Sequence, residues 1–102
     1  MPEFVRVAAE NEIAPGTSRE VELQGRVVAL FNVAGKLCAI DGICPHAGGP
    51  LGEGTLEGTV VTCPWHGWQF DVTTGRSPRN PACVQRSYEV KVEGGEILVA
   101  LP

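Results

Sequence analysis

The chain of 102 residues holds no apolar run approaching the roughly 18–20 residues that a membrane-spanning helix needs. Its first residues, Met1-Pro-Glu-Phe-Val-Arg6, lack the basic start and apolar core of a secretory signal. Positive charge is scarce: eight Lys and Arg against twelve Asp and Glu leave a formal net charge of −4. Nucleic acids and anionic membranes favour basic partners, so neither is expected to bind here. No repeat, linker or low-complexity segment interrupts the sequence, and no stretch has convincing helical periodicity. These absences predict one soluble, cytoplasmic domain over residues 1–102, with no membrane attachment.

What the sequence does contain is short alternation. Val5 and Val7 alternate within a first strand, and a single helical turn after Ala9 is stopped by Ala14-Pro15-Gly16-Thr17. Glu20 to Gln24 places Val21 and Leu23 on one face. Arg26 to Val33 is nearly continuous apolar sequence, which suits a central strand buried on both sides. Ala34-Gly35 reads as a two-residue hairpin leading into Lys36–Ile40. Further on, Thr55 to Thr59 reads as a turn, Thr59–Thr62 and Trp68–Asp71 as short strands. A last hairpin sets one strand, Ser87–Glu93 with Tyr88, Val90 and Val92 on a shared face, against Glu96–Leu101 across Gly94-Gly95. The fold class predicted is all-β, a small antiparallel sandwich or barrel.

The chemistry gathers in two short clusters, Cys44-Pro45-His46 and Cys63-Pro64-Trp65-His66. Each pairs a thiolate with an imidazole on a loop, so Cys44, His46, Cys63 and His66 are the candidate metal ligands. Mixed sulfur and nitrogen ligation leaves two readings, a tetrahedral zinc or an iron–sulfur cluster with two histidines. Of the other cysteines, Cys38 sits in the apolar run Lys36-Leu-Cys-Ala-Ile40 and Cys83 follows Asn80-Pro81-Ala82. Both are expected to pack as small hydrophobes rather than form a disulfide.

Written out with their flanks, Cys44-Pro-His-Ala-Gly-Gly-Pro-Leu and Cys63-Pro-Trp-His-Gly-Trp-Gln-Phe-Asp resemble the two cluster-binding loops of the Rieske family. The segment Asp71-Val-Thr-Thr-Gly75 also resembles that family. The resemblance implies one [2Fe–2S] cluster, with Cys44 and Cys63 on one iron and His46 and His66 on the other. It also implies a cluster-binding subdomain of about 41–75, inserted in a β base built from both ends of the chain. The long flanking match and the aromatics of the second loop disfavour zinc. Gly48, Gly49 and Gly67 would permit tight turns and positive φ, and bring backbone N–H groups toward the cluster. Trp68 and Phe70 are expected to fill the core, and Trp65 to lie near the surface.

Two thiolates leave an all-ferric [2Fe–2S] core neutral where four would leave it dianionic, so histidine ligation raises the potential. Rieske proteins of quinol-oxidising complexes carry an extra loop cysteine pair, joined by a disulfide, and hydroxyl donors to the cluster. The matching positions here are Gly49 and Trp65 for the disulfide, Trp68 and Phe70 for the hydroxyls. What remains resembles the low-potential ferredoxins of aromatic-ring-hydroxylating dioxygenase systems. That resemblance implies an electron carrier, not an enzyme, acting in aromatic hydrocarbon catabolism. Its partners would be a flavoprotein NAD(P)H reductase and a terminal oxygenase, and its state a monomer or weak homo-oligomer. The alternatives are a small subunit of an assimilatory nitrite reductase and a zinc-stabilised interaction module.

Overall fold

The computed structural model describes residues 3–44, 48–65, 67–80 and 82–100. Among the described residues ten strands run in chain order: β1 Phe4–Ala9, β2 Ser18–Leu23, β3 Arg26–Val33, β4 Lys36–Asp41, β5 Thr55–Glu57, β6 Val60–Thr62, β7 Gln69–Asp71, β8 Ser87–Tyr88, β9 Val90–Glu93 and β10 Glu96–Ala100. They form three antiparallel sheets, ordered β1-β10-β9, β2-β3-β4-β8 and β5-β6-β7. The described residues contain two short 3-10 turns, Glu10–Glu12 and Leu51–Glu53, and no α-helix. The predicted all-β class is what the chain adopts.

β3 organises the other elements because it buries both faces, as its unbroken apolar run requires. Ala29 and Phe31 point into one core with Cys38 and Ile40 of β4, Leu51, Val61, Phe70 and Val72. Val28 and Leu30 point into a second core with Ala8, Ile13, Leu23, Ala39, Ile97 and Val99. The central sheet is therefore the middle layer. One face packs on the sheet built from the two chain ends, where Phe4 pairs with Ala100, and the other on the β5-β6-β7 sheet. Cys44 and Cys63 belong to this second interface, at 1% and 2% exposure. The loops that carry them are thus founded on packed core.

Turn chemistry explains the hairpins. Ala34 and Gly35 both have positive φ, 52° and 98°, the geometry of a type I′ hairpin that matches strand twist. Cys38 is buried as expected, and all four cysteines are free thiols.

Two expectations need correction. Thr55–Glu57 is a strand paired with β6, not a turn, and the reversal falls at Gly58 with φ 61°. Ser87–Glu93 is not one strand: Tyr88 pairs with Ala39 of the central sheet, whereas Val90–Glu93 pairs with β10. The chain changes sheets at Glu89, whose carbonyl accepts from Ala100 N–H at 2.9 Å. Val92 consequently lies 39% exposed instead of sharing a buried face with Tyr88.

Candidate metal centre

The first loop leaves β4 and closes on itself. Cys44 N–H donates to the Gly49 carbonyl at 2.9 Å, and Gly48 N–H donates back to the Cys44 carbonyl at 2.8 Å. Ile43 bridges Pro50 below the loop, and Leu51 N–H donates to the Gly42 carbonyl at 2.8 Å. The second loop connects β6 to β7, with Cys63 N–H donating to the Trp68 carbonyl at 2.7 Å. Both loops are short because their stems are hydrogen-bonded ladders, which fixes where the two thiols project.

The loops meet at their cysteines. Cys44 and Cys63 lie in the same buried core, and Trp65 N–H donates to Cys63 Sγ at 3.4 Å. Burial pushes the Cys63 thiol above its usual pKa, the Trp65 N–H opposes this, and the neighbouring Cys44 adds to it. Burial also raises Cys38, which lies in the same core as Cys44 and Cys63. Gly49 keeps the meeting possible: a Cβ there would lie 2.6 Å from Cys63 Sγ and 3.0 Å from Trp65 Cβ. Its φ is not positive, so Gly49 serves close approach, whereas Gly48 and Gly67, both at φ 75°, serve the turn. Positions 49 and 65 therefore face each other, consistent with their matching a disulfide pair in another branch of the family.

A third segment braces the first loop. Gln85 is 6% exposed, and its Nε2 donates to the Ile43 carbonyl at 2.6 Å and the Asp41 carbonyl at 3.2 Å. Gln85 in turn is seated on Gly75, whose absent Cβ would fall 2.0 Å from the Gln85 carbonyl oxygen. Tyr88 OH donates to Asp41 Oδ1 at the same end of β4. Sequence reasoning missed Gln85, because one amide in a polar loop carries no local signal. Exposed large apolar side chains also gather in these loops: Trp65 is 51% exposed as anticipated, with Ile43 at 46% and Val84 at 54%. Phe70 is fully buried, and Trp68 is half-buried against the core.

Among the described residues no three His, Cys, Asp or Glu side chains assemble as a metal site. Of the four candidate ligands, Cys44 and Cys63 are described; His46 and His66, like Pro45 and Pro81, lie outside the described residues. Two buried thiols on facing loops are the donor type that an iron–sulfur cluster takes, so the described residues fit one. A profile described as the Rieske [2Fe-2S] domain matches residues 3–98. The chain belongs to the Rieske [2Fe–2S] family. A single cluster is the cofactor of this Rieske domain.

The domain is 34% identical over 99 residues to the ferredoxin component of the naphthalene 1,2-dioxygenase system of Pseudomonas aeruginosa, covering 96% of this chain and 95% of that one. Among solved structures it resembles the ferredoxin in a complex with the oxygenase of carbazole 1,9a-dioxygenase. That match has TM-score 0.87 and 37% identity, over 95% of this chain and 92% of the other. A chain from Mycobacterium tuberculosis, provisionally assigned as an NADH-dependent nitrite reductase small subunit, shares the fold at TM-score 0.91. It is only 24% identical, over 100% of this chain and 97% of the other. No helix among the described residues is long and apolar enough to cross a membrane.

Proposed function

We propose that this Rieske domain is a one-electron carrier in the cytoplasm, taking electrons from a flavin-dependent NAD(P)H reductase and passing them to a terminal ring-hydroxylating oxygenase. Cys44 and Cys63 hold one iron of its cluster and His46 and His66 the other. The cluster, when bound, stores and releases a single electron. The protein's own residues do the rest. Gly49 and the Trp65 N–H fit the loops around Cys63, Gln85 fixes the carbonyl that precedes Cys44, and the core beneath excludes water from the sulfurs. Residues 41–75 act as one cluster-binding subdomain within the single domain 1–102, founded on the β5-β6-β7 sheet.

The observation that carries this reading is the placement of the thiol pair. Both sulfurs are buried, yet Cys63 lies two residues from the half-exposed Trp65 and Cys44 lies next to the half-exposed Ile43. The sulfur side of a bound cluster would thus be shielded from solvent yet close to an apolar surface on which a partner can settle. The ferredoxin relatives, matched over nearly their whole length, support the assignment to a dioxygenase system. The nitrite reductase alternative has likeness of fold alone behind it.

Reconstitution tests the reading. With NADH, a flavoprotein reductase and a ring-hydroxylating oxygenase, hydroxylated product should form only when this protein is added. Product formation at the same rate without it would overturn the carrier role.

A further inference from the structure

The loops around the thiol pair are almost free of charge. Across 42–52, 58–70 and 77–85, with both histidines counted neutral, Arg79 is the one residue bearing a formal charge, in a chain of net charge −4. It lies in the wall of an open groove of about 290 Å³, lined by Gly67, Trp68, Gln69, Ser77, Arg79 and Asn80. That volume falls at the floor of the roughly 300–1,000 Å³ typical of small-molecule pockets, so it suits a protruding side chain better than a free ligand.

Arg79 is also held in place. Its Nε donates to Gln69 Oε1 at 3.1 Å, and Gln69 Nε2 donates to Thr62 Oγ1 at 3.2 Å, which ties the guanidinium through β7 to β6. Ser77 Oγ accepts the Asn80 N–H at 3.3 Å and closes the loop that carries it. Neither Nη group of Arg79 has a partner among the described residues. An exposed guanidinium oriented through Nε, with its Nη pair left for a partner, is pre-organised for a carboxylate and loses little rotamer entropy on pairing.

We infer that the Arg79 groove receives a carboxylate side chain from the flavoprotein reductase and so makes an electrostatic docking point beside the second loop. This rests on the electron-carrier reading above. Charge balance selects the donor rather than the acceptor. Electron uptake adds one negative charge to this end of the molecule, which weakens its hold on a partner carboxylate once transfer is complete. At the reductase that change promotes release of the reduced carrier. At the oxygenase the same contact would tighten after the electron had left, and would slow turnover. The acidic surface elsewhere cannot supply this attraction, since Glu10, Glu12, Glu20 and Glu22 are exposed carboxylates of the opposite sign.

The test is anaerobic stopped-flow reduction of the protein by an NADH-reduced flavoprotein reductase of a ring-hydroxylating dioxygenase system, chosen because it reduces the parent. Arg79→Ala should lower the second-order rate about tenfold at low potassium chloride, and Arg79→Glu further, because steering attraction is lost and then reversed. The parent rate should fall with added salt and the Arg79→Ala rate hardly at all. Arg79→Lys should recover part of the loss. Visible spectrum and reduction by dithionite should match the parent in all three variants, which separates docking from cluster loading. If Arg79→Glu is reduced as fast as the parent, or if the loss appears only in transfer to the oxygenase, the assignment is wrong. A parent protein with no visible chromophore would instead overturn the carrier reading itself.

Discussion

Replacing Gly49 with Ala tests the close approach of the two loops. The added Cβ would stand 2.6 Å from Cys63 Sγ and 3.0 Å from both Cβ and Cγ of Trp65. Ordinary contact begins at 3.4 Å, so the sulfur or the loop must retreat by about 0.8 Å. Metal–ligand distances tolerate only about 0.2 Å, so the displacement exceeds what a cluster accepts. Trp65 blocks the other direction, and overpacking of this kind typically costs about 1–3 kcal/mol. Gly48→Ala is the control. Nothing lies within 4 Å of its added Cβ, but φ is 75°, so it suffers backbone strain of about 1–2 kcal/mol without a clash at sulfur. Iron and acid-labile sulfide per chain, with visible absorbance and a urea melt, separate the two effects. Gly49→Ala should lose most of its cluster; Gly48→Ala should load fully and melt earlier. If Gly49→Ala binds a full cluster with an unchanged spectrum, the loops do not meet as described.

Trp65→Ala should slow electron transfer to the oxygenase severalfold while leaving the spectrum nearly unchanged, because it removes the exposed apolar contact and no ligand. Stopped-flow transfer at parent speed to both partners would remove Trp65 from the docking surface. The midpoint potential, read by redox titration, should lie near −150 mV, the low end of the Rieske range, since Trp68 and Phe70 replace hydroxyl donors and Gly49 and Trp65 replace the disulfide. A value clearly above zero would contradict that reasoning. Burial, followed by the Asp41 hydrogen bond, raises the Tyr88 phenol above its usual pKa near 10. The folded state therefore holds that proton more tightly, and the stabilisation is present below about pH 10 and lost as pH rises above it. Tyr88→Phe should cost about 1–2 kcal/mol at neutral pH and remove this residue's share of the alkaline loss, as seen in paired urea melts.

Legibility followed the range of the forces involved. β3 could be read because a strand buried on both sides needs an unbroken apolar run, and Ala34-Gly35 because a type I′ turn needs residues that accept positive φ. The pairing of the two loops at Cys44 and Cys63 was legible because both loops repeat a Cys and His pattern, and the structure brings those cysteines into one buried core. The break at Glu89 was not, since Ser87 to Glu93 alternates without interruption and only the neighbours decide that Tyr88 joins β4 while Val90 joins β10. Gln85 was hidden for a similar reason, its two carbonyl partners lying 42 and 44 residues away. Gly49 was expected to need glycine for its φ; it needs glycine for the space that Cys63 Sγ fills, which depends on a loop distant in sequence.

A histidine-ligated [2Fe–2S] cluster between the two loops would carry nitrogen ligands from His46 and His66. The chain contains only two histidines, so growth on 15N-histidine labels His46 and His66 and no other imidazole. Pulsed electron paramagnetic resonance of the dithionite-reduced protein should show two nitrogen couplings that change with the label, on a signal whose average g lies below that of all-thiolate clusters. A reduced protein without histidine nitrogen coupling, or a colourless one holding stoichiometric zinc, would contradict the account.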